Sequence, residues 1–197
     1  MYKNVSNKQE LTTKQKAYIL SCKSALTLFF IGIISNISFM KNGFDIHQYL
    51  QNLTETEITI QKLGVLFFTG YLLSDTIIGT VYYKRFMQSL SGYIHHYVYI
   101  LINIILLSND SKWISLYMLY MISELPTFIL SVGSFDNSYR KDKLFGFTFL
   151  LTRILYHAFL TWQLKSYTLP FLLSSLILCL HVYWFQNWCK KYLFKAS

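Results

Sequence analysis

Residues 17–40 read AYILSCKSALTLFFIGIISNISFM, and the whole fold can be read outward from this stretch. It runs for 24 residues with Lys23 as its only charge. A helix rises about 1.5 Å per residue, so the segment is long enough for the roughly 30 Å hydrocarbon layer, which takes about 20 mostly apolar residues. Five further stretches of the same character follow, at 63–83, 91–108, 113–133, 144–164 and 167–189. The chain carries 18 Lys+Arg and 9 Asp+Glu, yet only Lys23, Asp75, Glu124 and Arg153 fall inside the six stretches. The expectation is an all-α polytopic membrane protein with six transmembrane helices. A tail at 1–16 precedes the membrane domain at 17–190, and a second tail at 191–197 follows it.

Composition excludes the main alternatives. Charged residues make up 14% of the 197, against 53% hydrophobic, where a soluble domain carries about 25% charged. Two Pro and eight Gly are too few for a turn-rich all-β or disordered chain. Three Cys give no disulfide framework and no CxxC spacing. The first span is too long for a signal-peptide core and reads as an uncleaved anchor. No repeat, linker or second domain is visible.

The formal charge of +9 would suggest nucleic acid in a soluble protein, but here position explains it. With six spans, the N-terminus, loops 84–90 and 134–143 and the C-terminus share one side. That side holds twelve Lys and Arg: Lys3, Lys8, Lys14, Lys16, Lys84, Arg85, Arg140, Lys141, Lys143, Lys190, Lys191 and Lys195. The other side holds four, Lys41, Lys62, Lys112 and Lys165. Basic loops stay in the cytoplasm, so both termini are expected there, and no nucleic-acid partner is implied.

Ionisable groups inside a bilayer cost several kcal/mol and mark cavities or internal pairs. Here they are Asp75, His95, His96, Glu124, Arg153, His157 and His181. Counted at about 1.5 Å per residue, most lie within about 14 Å of the cytoplasmic end. A polar pocket open to the cytoplasm is the economical expectation. Glu124 and Arg153 match in depth and suit an ion pair. His95 and His96 point about 100° apart on a helix, so at most one faces a given site squarely. His96, Tyr99 and Asn103 fall on one stripe. No HxxxH or HExxH spacing suggests a metal, the histidines are not paired as haem ligands would be, and no bound cofactor is expected.

The order of these residues resembles the TLC-domain family. Gly70-Tyr71-Leu72-Leu73-Ser74-Asp75 is similar to its G-Y-x-x-x-D signature, and His95-His96 to its paired histidines. Glu124-Leu125-Pro126-Thr127-Phe128 resembles an E-x-S-T-P-F stretch, Thr148 to Arg153 an F-x-x-x-R segment, and His181-Val182-Tyr183-Trp184-Phe185 a terminal L-N-x-Y-W-F. The likeness is to the small TLC-domain proteins and more distantly to the ceramide synthases. It departs in lacking paired aspartates in the fourth span, in placing Pro126 before Thr127, and in having His181 for Asn.

The resemblance implies a protein of lipid metabolism, in the endoplasmic reticulum or a related endomembrane, with membrane lipids as partners. Two functions stay open. One is binding or sensing of lipid, tuning membrane composition. The other is acyl transfer with acyl-CoA as candidate co-substrate, in which His95 or His96 acts as base or acyl acceptor and Asp75 orients it. In either case Glu124, Arg153, Asn103, Tyr99, His157 and His181 are candidate substrate-binding residues. A transporter is weaker, since no inverted repeat appears.

Overall fold

The computed structural model describes residues 11–87 and 89–194. Seven helices account for most of it: α1 Thr13–Lys41, α2 Ile46–Gln51, α3 Glu55–Tyr82, α4 Gly92–Leu107, α5 Ser111–Phe135, α6 Asp142–Ser166 and α7 Thr168–Tyr192. Among the described residues there is no strand. Five helices are long and apolar enough to cross a membrane, and α4, though shorter, is apolar as well. The protein is an all-α polytopic bundle.

Sequence sets the helix starts. Thr12 and Gln15 form a reciprocal capping box at α1, and Thr54 and Glu57 form one at α3, each satisfying amides that the first turn leaves unpaired. The box at Thr54 starts α3 eight residues before the apolar run at 63, so the helix is longer than hydropathy alone predicts. The short α2 was not anticipated. Asp45 caps it, and Ile46 and Tyr49 are buried beneath it. The chain turns into it through Gly43 and Phe44, both at positive φ. Phe44 is held there by edge-on contacts with Phe39 and Phe159 and by the Gln163 amide, which donates to its carbonyl at 2.9 Å.

Loop contacts sort the two ends of the bundle. At one end Lys14 donates to Asn137 at 3.4 Å, and Arg140 donates to the Tyr192 hydroxyl at 2.9 Å. These contacts bring the start of α1, the 136–141 connection and the end of α7 together. At the other end Tyr167 meets His47 at 3.0 Å and packs edge-on to Trp113, gathering α2 and the starts of α5 and α7. Since α3 returns to the first end and α5 starts from the second, α4 must traverse between them. The basic connection with Arg140, Lys141 and Lys143, the start of α1 and the end of α7 therefore share one end of the bundle, the arrangement that the charge count leads one to expect.

The core is built around α5. Leu28, Val65, Phe68, Leu72, Ile114, Met118 and Met121 form one buried cluster, and Phe39, Ile46, Tyr49, Leu116, Leu119, Leu160 and Leu164 another. Helix α1 runs against α5 at close range: a methyl on Gly32 would sit 2.5 Å from the Ile122 nitrogen. Small residues permit such crossings in membranes, where dispersion replaces the hydrophobic effect. Polar side chains fasten the same region. Asn36 donates to the carbonyls of Gly32 (2.8 Å) and Leu119 (3.0 Å) and accepts from the Tyr156 hydroxyl. Gln61 donates to Tyr49 at 2.9 Å and accepts from Ser115. Helix α7 is peripheral, with Ser174 and His181 its buried residues.

Candidate functional site

The polar intramembrane residues separate into two clusters. The first lies between α3 and α4. The Tyr83 hydroxyl donates to Asp75 Oδ1 at 2.9 Å, and His96 Nε2 stands 3.7 Å from Asp75 Oδ2. On the other side of the ring, His96 Nδ1 is 2.9 Å from Thr76 Oγ1, whose own proton is directed at the Leu72 carbonyl (2.7 Å). A hydroxyl has one proton to give, so Nδ1 carries a hydrogen and donates to Thr76. All members are buried, and the cluster is closed.

The second cluster forms the floor of a cavity of about 300 Å³ between α4, α5, α6 and α7, with Phe68 of α3 also in its wall. Arg153 is its centre. Its Nε donates to the Ser123 carbonyl at 2.9 Å, while Nη2 donates to Thr127 Oγ1 at 2.7 Å and faces Glu124 Oε1 at 3.5 Å. The guanidinium also lies over the Phe149 ring at 5.3 Å. The ion pair expected from matched depth is present.

Irregular backbone makes this geometry. Residues 120–123 are wound as a 3-10 turn ahead of Pro126, and Leu150–Tyr156 is a π-helical stretch. Both open carbonyls that a regular ladder would occupy. Ser123 gives its carbonyl to Arg153, and the Arg153 carbonyl accepts from His181 Nδ1 at 3.2 Å.

His95, Tyr99, His157 and His181 complete the polar lining. His95 packs against Tyr99 with the rings tilted by 48° and their centroids 4.6 Å apart, and approaches Trp184 at 6.4 Å. His157 Nε2 is 3.0 Å from the Ser174 carbonyl, an atom that only accepts, so that nitrogen is protonated. Above this floor the walls are apolar: Phe68, Ile102, Ile105, Leu106, Leu116, Leu173 and Ile177. Ile105, Leu169 and Leu173 are 52%, 67% and 45% exposed on helices in the membrane, so the cavity opens sideways between α4 and α7.

Asp75, His96 and Asn103 do not line this cavity. His96 turns toward α3 while its neighbour His95 faces the cavity, the consequence of their 100° separation. Asn103 likewise turns to α3 and donates to Thr69 at 3.0 Å, leaving Tyr99 alone of the expected stripe in the cavity. On α4, α5, α6 and α7 the lining residue nearest the end of the bundle that holds Arg140 and Tyr192 is polar: His95, Glu124, Arg153 and His181, while α3 contributes Phe68. The rest run the other way, to Asn109, Trp113, Leu164 and Leu169. The polar groups thus gather at one end of a cavity whose exposed apolar residues, Ile105, Leu169 and Leu173, lie toward the other.

Several lining residues were not anticipated, among them Tyr117, Tyr120, Ser123 and Ser174. The spacing 113, 116, 117, 120, 124 on α5 is one helical face, and it was available in the sequence. Its uncharged members carry no hydropathy or charge signal that sets them apart from packed core residues. Among the described residues no group of three or more His, Cys, Asp or Glu is placed to hold a metal ion.

Compared with known proteins, the chain matches no family model, no curated protein and no solved structure.

Proposed function

We propose that this protein holds a membrane lipid inside the bundle and thereby senses or tunes lipid composition. The observation that carries this reading is the form of the cavity. One continuous space joins an exposed apolar mouth on the membrane face, at Ile105, Leu169 and Leu173, to a polar floor whose charges neutralise each other. Apolar walls with a few convergent polar groups are the usual design of a small-molecule site. A lipid enters such a site from the bilayer without crossing water.

Acyl transfer from acyl-CoA has less support. A general base needs a partner that orients it, and here His95 lines the cavity while Asp75 is bonded to Tyr83 and faces His96 elsewhere. A CoA headgroup also has to arrive from water on the cytoplasmic side, and the lining residues run the opposite way. Within this proposal the TLC resemblance stands for a shared bundle plan and a lipid-related role rather than for a reaction.

The test is the lipid that accompanies the protein through purification. Wild type and Leu173→Trp, which places an indole across the mouth, are purified in mild detergent and extracted for mass spectrometry. The expected result is about one lipid per wild-type chain and markedly less in the variant. Equal amounts of a lipid mixture matching the bulk membrane in both proteins would remove the support for a binding cavity.

A further inference from the structure

The cavity holds two buried polar atoms that no protein group satisfies, and they specify what it takes. His157 is 3% exposed and lines the cavity. Its Nε2 is used on Ser174, and its Nδ1 has no hydrogen-bond partner. With Nε2 carrying the proton, Nδ1 of the neutral ring is a lone-pair acceptor in need of a donor. Tyr117, on α5 and also in the lining, has a hydroxyl that is buried and unpartnered. Buried polar groups in folded proteins nearly always find partners, and an orphan calls for an explanation.

Charge narrows the choice further. Glu124 and Arg153 are the charged residues among the described lining, and they face each other at 3.5 Å. Arg153 is further occupied by Ser123 and Thr127. No cation is left over for a phosphate or a carboxylate, which would have to be stripped of water to enter. Size agrees: a cavity of about 300 Å³ suits a small head with one chain better than a two-chain lipid with its large head.

Resting on the lipid-binding reading above, we propose that the occupant is a neutral single-chain lipid bearing a hydroxyl group. Its O–H donates to His157 Nδ1, its oxygen accepts from Tyr117, and its chain leaves along Ile105, Leu106, Leu173 and Ile177 toward the bilayer. His181 adds a second acceptor on the same side, because its Nδ1 is committed to the Arg153 carbonyl and Nε2 is left as the basic nitrogen.

The experiment is equilibrium binding of tritiated hexadecanol to the full chain in detergent, with monoolein, oleate and dioleoyl phosphatidylcholine as competitors. The expected result is saturable binding near one per chain, displaced by monoolein and little affected by oleate or phosphatidylcholine. Tyr117→Phe removes a hydroxyl that has no partner in the protein, so thermal stability is retained while affinity falls about five- to tenfold, the loss of one hydrogen bond. His157→Gln, which keeps a donor for Ser174 and an acceptor, retains binding better than His157→Phe.

Saturable hexadecanol binding unchanged in Tyr117→Phe and His157→Phe would overturn the hydroxyl assignment and leave lipid binding standing. Displacement by phosphatidylcholine or oleate at lower concentration than monoolein would overturn the neutral single-chain assignment. Saturable binding of none of the four probes would overturn the lipid-binding reading itself.

Discussion

Arg153 donates its Nε–H to the backbone carbonyl of Ser123 at 2.9 Å, joining the π-helical stretch of α6 to the 3-10 turn of α5. The same guanidinium reaches Thr127 and Glu124, so three acceptors on one helix are served from a single side chain. Lysine has no fork to do this. Arg153→Met leaves Glu124 and the Ser123 carbonyl without their donor, and is expected to cost about 3 kcal/mol. That is the low end for breaking a buried pair, since the two side chains retain 13% and 17% exposure. The double variant Glu124→Gln/Arg153→Met recovers part of the loss. Equal melting temperatures for the single and double variants in detergent would show that the pair does not couple.

Two glycines of the membrane helices have opposite prospects. A Cβ on Gly32 meets the Ile122 nitrogen at 2.5 Å and the Met121 carbonyl carbon at 2.7 Å, both backbone atoms that cannot step aside. A Cβ on Gly70 meets nothing within 4 Å. Gly32→Ala is expected to destabilise by about 1–3 kcal/mol through overpacking, and Gly70→Ala to be neutral or stabilising by up to about 1 kcal/mol. Thermal unfolding of the pair in one detergent checks both, and a Gly32→Ala protein as stable as wild type would refute the close α1–α5 crossing.

Alkaline pH gives a separate reading of α2. Tyr49 has no exposed surface, and burial pushes its hydroxyl up to about 12, against the opposing effect of the Gln61 hydrogen bond. An unfolded tyrosine titrates near 10. Between these values the unfolded chain has released a proton that the folded chain keeps. The Tyr49 contribution is therefore intact below about pH 10 and is lost as pH rises toward 12. Stability curves of wild type and Tyr49→Phe should converge over that window. Curves that stay parallel through pH 12 would mean that Tyr49 is not held as described.

The spans were legible because each depends on a run of apolar residues that no other fold would require. The limits 91–108 and 113–133 lie within two residues of α4 and α5. What escaped was set by other interactions. The early start of α3 comes from the Thr54–Glu57 capping box, and α2 from the Asp45 cap and the burial of Tyr49. In the site, the charged residues and histidines were legible, whereas the hydroxyl groups of Tyr117, Tyr120, Ser123 and Ser174 and the partition of the set were not. His95 and His96 are adjacent in sequence, and only the rotation of α4 against α3 decides which one faces the cavity. The Arg153 carbonyl is offered to His181 by a π-helical stretch, and nothing in the residues Leu150–Tyr156 announces it.

Topology is open to direct labelling. With Cys22, Cys179 and Cys189 replaced by Ser, single cysteines are introduced at Gln51 and Ser138, both exposed and at opposite ends of the bundle. A membrane-impermeant maleimide should reach Ser138→Cys only from the cytoplasmic side and Gln51→Cys only from the other. Labelling of both from one side would break the six-span arrangement.

The central claim is that the space between α4 and α7 holds a lipid, and the most direct measurement is an experimental map of the full chain in a lipid nanodisc. The account predicts elongated density from the mouth at Ile105 and Leu173 to the floor at Arg153, with its polar end near His157 and Tyr117. A well-ordered map in which side chains collapse across the cavity, or in which it is empty while annular lipids are visible around the bundle, would contradict it.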